Sequence, residues 1–240
     1  MSKFSFLVSS AINTKFGVYD SEQRLQQTIA TIESIKQKVP DASIFLIEMG
    51  AIELTDQQRT QLQTHATTVE FAKDVAVQNL YHSTDNWDVV KNVTEVMCFS
   101  KFLKSIAPSI REVDTADRVF KLSGRYVLNK NFNISDYEDT AVRNAIVVGR
   151  RKNSQFNAVV TGGVTQQFMS RLWSWPGRLT NEVSVVYDQM LINMGNRIQS
   201  GGYIDIEHSL FEFLDHSQLI EKDMVGVSGN IGPNGVAVED

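Results

Sequence analysis

Apolar residues along the chain fall into short runs and helical stripes that alternate. Residues 4–8, Phe-Ser-Phe-Leu-Val, read as a buried strand, and Ser9, Ser10, Ala11, Ile12, Asn13 and Thr14 form a small, polar exit from it. Asp20 is a helix cap with Gln23 three residues on, and Leu25, Ile29, Ile32, Ile35 and Val39 follow at helical spacing up to Pro40. Residues 43–47 are a compact second strand closed by Glu48, Met49 and Gly50. Strand, helix and strand make a βαβ unit. Its right-handed crossover sets the strands parallel and puts Ser9, Ser10 and Glu48 on one edge of the sheet, where such folds bind ligands.

The alternation continues with a polar helix near residues 55–64 and a short strand near 68–71. Residues 81–88, Tyr-His-Ser-Thr-Asp-Asn-Trp-Asp, are rich in turn formers and read as a loop. Val90, Val93, Met97 and Leu103 mark a helix ended by Pro108, and Lys91 and Glu95 stand on it at the spacing of a surface pair. Residues 119–128 begin as a buried strand, then present Ser123, Gly124, Arg125 and Tyr126 before Val127 and Leu128 resume the apolar pattern. Two readings are open there: a strand, a glycine bend and a second strand, or a binding lip at a strand end.

Beyond a loop over 129–140, residues 145–148 and 157–160 read as a hairpin whose tip carries Arg150, Arg151 and Lys152. After Gly162 and Gly163, a helical segment is expected through Phe168, Met169 and Leu172 to Trp173 and Trp175. The most regular helix has Val183, Val186, Tyr187, Met190, Leu191 and Met194 on one stripe, with Thr180 or Asn181 as its cap. The tail from Val225 reads as strand and turns.

At 240 residues, 42% hydrophobic and 21% charged, the chain suffices for one large α/β domain or two small ones. A net charge of −5 disfavours nucleic acid or an anionic membrane surface as partner. Residues 4–12 read as a first strand rather than a signal peptide, and no run reaches the roughly 18 apolar residues of a membrane span. The single cysteine, Cys98, sits in an apolar pattern and permits no internal disulfide, which suits a cytoplasmic protein.

Several chemistries lose support. No Gly-x-Gly-x-x-Gly follows a strand, and neither a P-loop nor a Gly-x-Ser-x-Gly elbow occurs. One cysteine builds no thiolate zinc site, and His65, His82, His208 and His216 are scattered.

Phe120-Lys-Leu-Ser-Gly-Arg-Tyr126, with Ser9-Ser10-Ala11-Ile12, Glu48 and the tail Gly226-Val-Ser-Gly-Asn-Ile-Gly-Pro233, resembles poorly classified bacterial and phage glycosyltransferases of the GT-A fold. The resemblance implies a single Rossmann-like α/β domain, a mixed central sheet flanked by helices. Residues 1–128 would be the nucleotide-donor half and 129–240 the acceptor-side half. It implies transfer of a sugar from a nucleotide donor, a UDP-sugar first, to a glycan or other hydroxyl acceptor. GT-A enzymes hold a divalent metal, Mn2+ or Mg2+, on an Asp-x-Asp motif at a strand end. Here Ser123-Gly124-Arg125 occupies that place, so the diphosphate is expected on Arg125, Lys121 and Lys91, without a metal in preference to one held by acids from elsewhere. Ser9, Ser10 and Glu48 would face the base and ribose, with Ser123 and Gly124 beside the diphosphate. A carboxylate base is sought in Glu182 or Asp188, then in Glu207 with His208. Two other classes stay open. One is a nucleotidyltransferase; the other is a non-catalytic carbohydrate- or nucleotide-binding domain, favoured if Trp87, Trp173 and Trp175 form a stacking surface.

Overall fold

The computed structural model describes residues 3–231 and 235–240, so Gly232 and Pro233 of the tail motif lie outside the described residues. The first half runs β1 (Phe4–Ser10), α1 (Ser21–Lys38), β2 (Ser43–Glu48), α2 (Asp56–Gln63), β3 (Thr67–Glu70), α3 (Val75–Ser83) and α4 (Trp87–Lys101). A short α5 (Arg111–Asp114) then leads to β4 (Arg118–Ser123) and β5 (Tyr126–Leu128). The second half contains α6 (Thr140–Arg143), β6 (Ile146–Gly149), β7 (Lys152–Asn153), α7 (Ala158–Thr161), β8 (Gln166–Gln167) and β9 (Leu172–Pro176). It closes with α8 (Thr180–Gln199), α9 (Ile206–Phe213), β10 (Leu219–Lys222), β11 (Val227–Asn230) and β12 (Ala237–Glu239).

Seven strands form the central sheet in the order β10-β6-β9-β4-β1-β2-β3. All neighbours are parallel except β9, which runs against both β4 and β6. The central parallel strands are covered on both faces, which is why β1 and β2 read as near-continuous apolar runs. Phe6 and Val8 of β1 point into a core with Leu25, Ile32 and Ile35 of α1; Leu7 points the other way, into a core with Val96, Phe99, Tyr187 and Met190 of α4 and α8. The capping box on α1 forms, with Asp20 accepting from Gln23 N and Gln23 reaching back to Asp20 N.

Three local expectations are corrected, and one further element has no signal in the pattern. Residues 172–176 are a fully buried strand, not a helix, because β9 is inserted between β4 and β6 and its two tryptophans alternate with Ser174 onto one face. Residues 157–160 do not pair with β6; Asn157 caps the single turn α7, which Gly162 ends at φ +73°. Residues 81–88 are not one loop, since Asp74 caps α3, which runs to Ser83, and Asn86 caps α4. Residues 206–213, left unassigned by pattern, form α9 on the cap Asp205.

Between β4 and β5 the chain changes sheets. Gly124 N donates to Ser9 O at 2.7 Å, and a Cβ on Gly124 would lie 2.8 Å from that oxygen, so only glycine lets the turn sit this close to β1. β5 then joins β11 and β12 in a small antiparallel sheet. No helix among the described residues is long and apolar enough to cross a membrane.

Candidate functional site

A cavity of about 440 Å³ opens at the carboxyl edge of the parallel strands, a size that suits a small-molecule ligand. Its floor is Ser9 and Ser10 from β1, Met49 to Ala51 after β2, and Ser123, Gly124 and Arg125 after β4. Arg24 and Thr28 of α1 wall one side, and Trp87, Val90, Lys91, Thr94 and Glu95 of α4 wall the other. Positions 87, 90, 91, 94 and 95 share one face of α4, so the helix presents them together. Phe16 and Gly17 from the loop after β1, with Tyr81 of α3, complete the rim; the two rings meet edge to face at 6.2 Å.

The charges in this cavity are unbalanced. Three cations line it, Arg24, Lys91 and Arg125, and one carboxylate, Glu95. Arg24 spends its guanidinium on carbonyls alone: Nε to Tyr19 O at 3.1 Å, Nη1 to Ala11 O at 3.3 Å and Nη2 to Phe16 O at 2.8 Å. Burial, and then the Arg125 charge, lower the pKa of Arg24. The Arg125 side chain makes no hydrogen bond or ion pair with the described residues, and its buried Nε has no partner. Neither guanidinium is paired with a carboxylate among the described residues, so the cavity carries unanswered positive charge.

Glu95 does not relieve that imbalance. It lies 2.5 Å from Nζ of Lys121, which is fully buried and also donates to Ser123 Oγ at 2.9 Å and Ser170 O at 2.8 Å. Burial pushes the Glu95 carboxyl up, but Lys121, with Lys91 and Arg125, outweighs it and holds the group below the usual carboxylate range. Lys121 therefore stands beneath the floor as the counter-ion of Glu95 rather than as a cation open to the cavity. Glu48 also lies behind the wall. Its Oε1 accepts from Ile12 N at 3.0 Å and Gly50 N at 3.2 Å, and burial raises its pKa. It shapes the two loops that flank Ser10 and is not itself at the cavity surface.

A divalent metal does not fit these residues. Such ions take several hard oxygen ligands, mostly carboxylates, and the one carboxylate at the β4 end is already held by Lys121. Among the described residues no group of three or more His, Cys, Asp and Glu side chains could hold a metal.

Of the acids sought as a base, Glu182 is exposed in the first turn of α8 and does not line the cavity. Asp188 accepts from Ser100 Oγ at 2.5 Å and Lys104 Nζ at 2.9 Å; Ser100 is nine residues past Lys91, roughly 13 Å along the helix. His208 is fully buried, with Nδ1 2.6 Å from Asp205 Oδ1 and Nε2 2.7 Å from Ser154 Oγ, and it ties the start of α9 to the segment after β7. Glu207, its neighbour, remains partly exposed. Trp173 and Trp175 are 1% and 0% exposed, which removes them as a sugar-stacking surface, whereas Trp87 at the cavity rim is 44% exposed.

Pattern reading missed Arg24 and Glu95. For Arg24 the available signal was its place with Thr28 and Thr31 on a polar stripe beside Leu25, Ile32 and Ile35. For Glu95 it was the apolar run Val96 to Phe99 that follows, unusual company for a surface charge.

No protein-family model matches the chain, and no curated protein matches it in sequence. Solved structures do match. The mannosyltransferase Ktr4p from S. cerevisiae aligns with a TM-score of 0.55 at 10% identity, over 91% of this chain and 68% of that one. Core-mannan synthase A (CmsA/Ktr4) from Aspergillus fumigatus, in its Mn/GDP form, aligns with a TM-score of 0.52 at 9% identity, over 98% of this chain and 77% of that one. At such identities the likeness is one of architecture, and it agrees with the seven-stranded mixed sheet and its flanking helices: the chain has a GT-A-like fold.

Proposed function

We propose that the cavity binds a nucleoside-diphosphate sugar and that the protein is a glycosyltransferase, moving the sugar to a glycan or other hydroxyl acceptor. One observation carries the reading: Arg24, Lys91 and Arg125 line one cavity at the carboxyl edge of β1, β2 and β4, and none of them is in an ion pair with the described residues. The diphosphate lies against Arg125, whose planar donors match phosphate oxygens. Arg24 and Lys91 flank it. As the bond from sugar to phosphate breaks, negative charge grows on the departing diphosphate. Fixed cations then stabilise the transition state without further rearrangement. Ser9 and Ser10 supply hydroxyls toward the ribose and base, and Phe16 and Tyr81 supply aromatic surface at the rim. Donor binding is metal-independent on this reading, and UDP-sugars are the first donors to test. The single buried cysteine suits a cytoplasmic setting.

Thermal-shift and calorimetric titration with UDP-, GDP-, dTDP- and CMP-sugars, with and without manganese, test the proposal. The expected result is stabilisation by one nucleotide class to the same extent with metal and with chelator. No shift with any nucleotide would remove the transferase reading, and a shift that needs manganese would remove the metal-independent one.

A further inference from the structure

Away from the donor cavity, side chains from two separate stretches of the chain meet in a short relay of hydrogen bonds. Asp205 caps α9; its Oδ1 accepts from His208 N at 2.9 Å and stands 2.6 Å from His208 Nδ1. The other ring nitrogen, Nε2, is 2.7 Å from Oγ of Ser154, just past β7. A carboxylate can only accept, so in the neutral imidazole the proton sits on Nδ1 and Nε2 is left to accept from the Ser154 hydroxyl. Acid, imidazole and hydroxyl in that order are what turn a serine into a nucleophile, and the arrangement is defined by geometry and roles, whatever the sequence motif around it.

The three groups differ in exposure as such a site requires. Asp205 and His208 are buried, His208 completely, and their spacing of three residues at the start of α9 fixes one against the other. Ser154 is half-buried and opens a loop that closes on itself, its N–H donating to Thr165 O at 2.8 Å. The hydroxyl does not depend on His208 for a partner, since Oγ accepts from Phe156 N at 2.9 Å and lies 3.1 Å from Phe156 O. The amide N–H of Gln155, the next residue, has no hydrogen bond among the described residues. An N–H in that place, directly after a nucleophile, is a recurrent donor to the oxyanion of acyl transfer. The Phe156 ring lies 5.5 Å from the imidazole and 5.8 Å from the Tyr203 ring, and Phe156, Val159 and Val160 are exposed on this one loop. Apolar surface beside the hydroxyl suits the acyl chain of an uncharged ester.

We propose that Ser154, His208 and Asp205 form a second site, which hydrolyses small apolar esters. None of the three lines the donor cavity, and the inference stands apart from the donor reading. Ser154 Oγ bonds to the ester carbonyl carbon while its proton passes to His208 Nε2, and Asp205 balances the imidazolium. The oxyanion forms against Gln155 N–H. The bond to the alcohol then breaks with its electron pair on the alcohol oxygen, which takes the proton from Nε2 and departs. Water repeats the two transfers on the acyl-serine, releasing the carboxylic acid and restoring the hydroxyl.

The test uses the whole chain, a fluorophosphonate as covalent probe and p-nitrophenyl butyrate as substrate. The probe should attach to Ser154, located by mass spectrometry of the digested protein, and this measurement needs no variant. Ester hydrolysis by the wild type should exceed that of Ser154→Ala by about 100-fold or more. Asp205→Asn keeps a side chain able to cap α9 but not the charge that sets the imidazole tautomer, and should lose activity to a similar extent. Three results overturn the proposal: a wild type that takes no label at Ser154, a label confined to other residues, or hydrolysis by Ser154→Ala within about threefold of wild type. In each of these cases the three side chains serve only to tie the start of α9 to the loop after β7.

Discussion

Two basic stretches stand out along this chain, and they meet opposite fates. The segment after β6 carries Arg150, Arg151 and Lys152 in succession, yet each is answered by an acid: Asp223 at 2.5 Å, Glu221, and Asp240 at 2.8 Å. Arg171, nearby, is answered by Asp240 as well. The turn after β4 carries one cation, Arg125, and no acid among the described residues answers it. Arg24 and Lys91 join it from α1 and α4, again without a carboxylate partner among the described residues. The richer stretch is electrostatically spent and the poorer one is not. Binding capacity for an anion follows from unmet charge, and cation density along the sequence does not measure that.

Lys121 gives the sharpest test of spent charge. It is wholly buried against Glu95, so Lys121→Met should leave a carboxylate uncompensated and cost about 3–5 kcal/mol, read as a lowered denaturation midpoint. Lys121→Met with Glu95→Gln should recover much of that loss. If the single variant is as stable as wild type, Lys121 is not a structural counter-ion and its charge returns to the ligand side of the comparison. Arg125→Ala tests the opposite case. Losing a charged donor from a diphosphate costs about 1.5–3 kcal/mol, or roughly 10- to 100-fold in affinity for a nucleoside diphosphate, with much less change for the bare nucleoside. Equal losses for the two ligands in calorimetry would make Arg125 a shaping residue only.

How much of this was legible in the sequence depends on the range of the interactions involved. The β1-α1-β2 unit was readable because its signals are local: an apolar run, the Asp20 and Gln23 capping box, Pro40 after the last helical turn. Ser123-Gly124-Arg125 stood out because it interrupts a buried strand, and Ser9, Ser10, Lys91, Ser123, Gly124 and Arg125, all named from the sequence, line one cavity. β9 was not readable as a strand, because what makes it one is insertion between β4 and β6, segments with no sequence proximity to each other. Lys91 and Glu95 looked like a pair on one helix; the tertiary structure gives Glu95 to Lys121 on β4 and leaves Lys91 open. The tertiary structure likewise brings Arg24 and Arg125 to one cavity and puts Lys121 under its floor.

Glu48 bears on why the cavity stays positive. It is the acid nearest in role to a counter-ion for Arg24, whose pKa it raises, but burial raises its own pKa and favours the neutral form. A carboxyl whose folded pKa exceeds the unfolded value of about 4.3 holds its extra proton in the folded state, so its contribution to stability is complete below that value and declines as pH rises through the folded pKa. Glu48→Gln mimics the neutral form, and should flatten this decline and be more stable than wild type above it. Denaturant melts from pH 4 to 8 measure the slope. A wild type whose stability rises over that window in a Glu48-dependent manner would mean the acid ionises and answers Arg24, and the contrast between the two basic stretches would narrow.

Arg151→Ala should do least, and its small effect is what the comparison requires. The Arg151 guanidinium is exposed and held to Glu221, so removing it sacrifices only a surface ion pair, which solvent screens. It also uncovers parts of the Phe168 and Phe211 rings, which lie 5.9 and 5.6 Å from the guanidinium. A slightly lower melting temperature is expected, with affinity for a nucleoside diphosphate unchanged within about twofold. Removing Glu221 instead frees the cation without deleting it. If Glu221→Gln creates measurable diphosphate binding in a protein that also carries Arg125→Ala, then an unanswered cation suffices for the site. If it creates none, the anion site needs the cavity and the two converging guanidiniums of Arg24 and Arg125, and unmet charge is necessary without being enough.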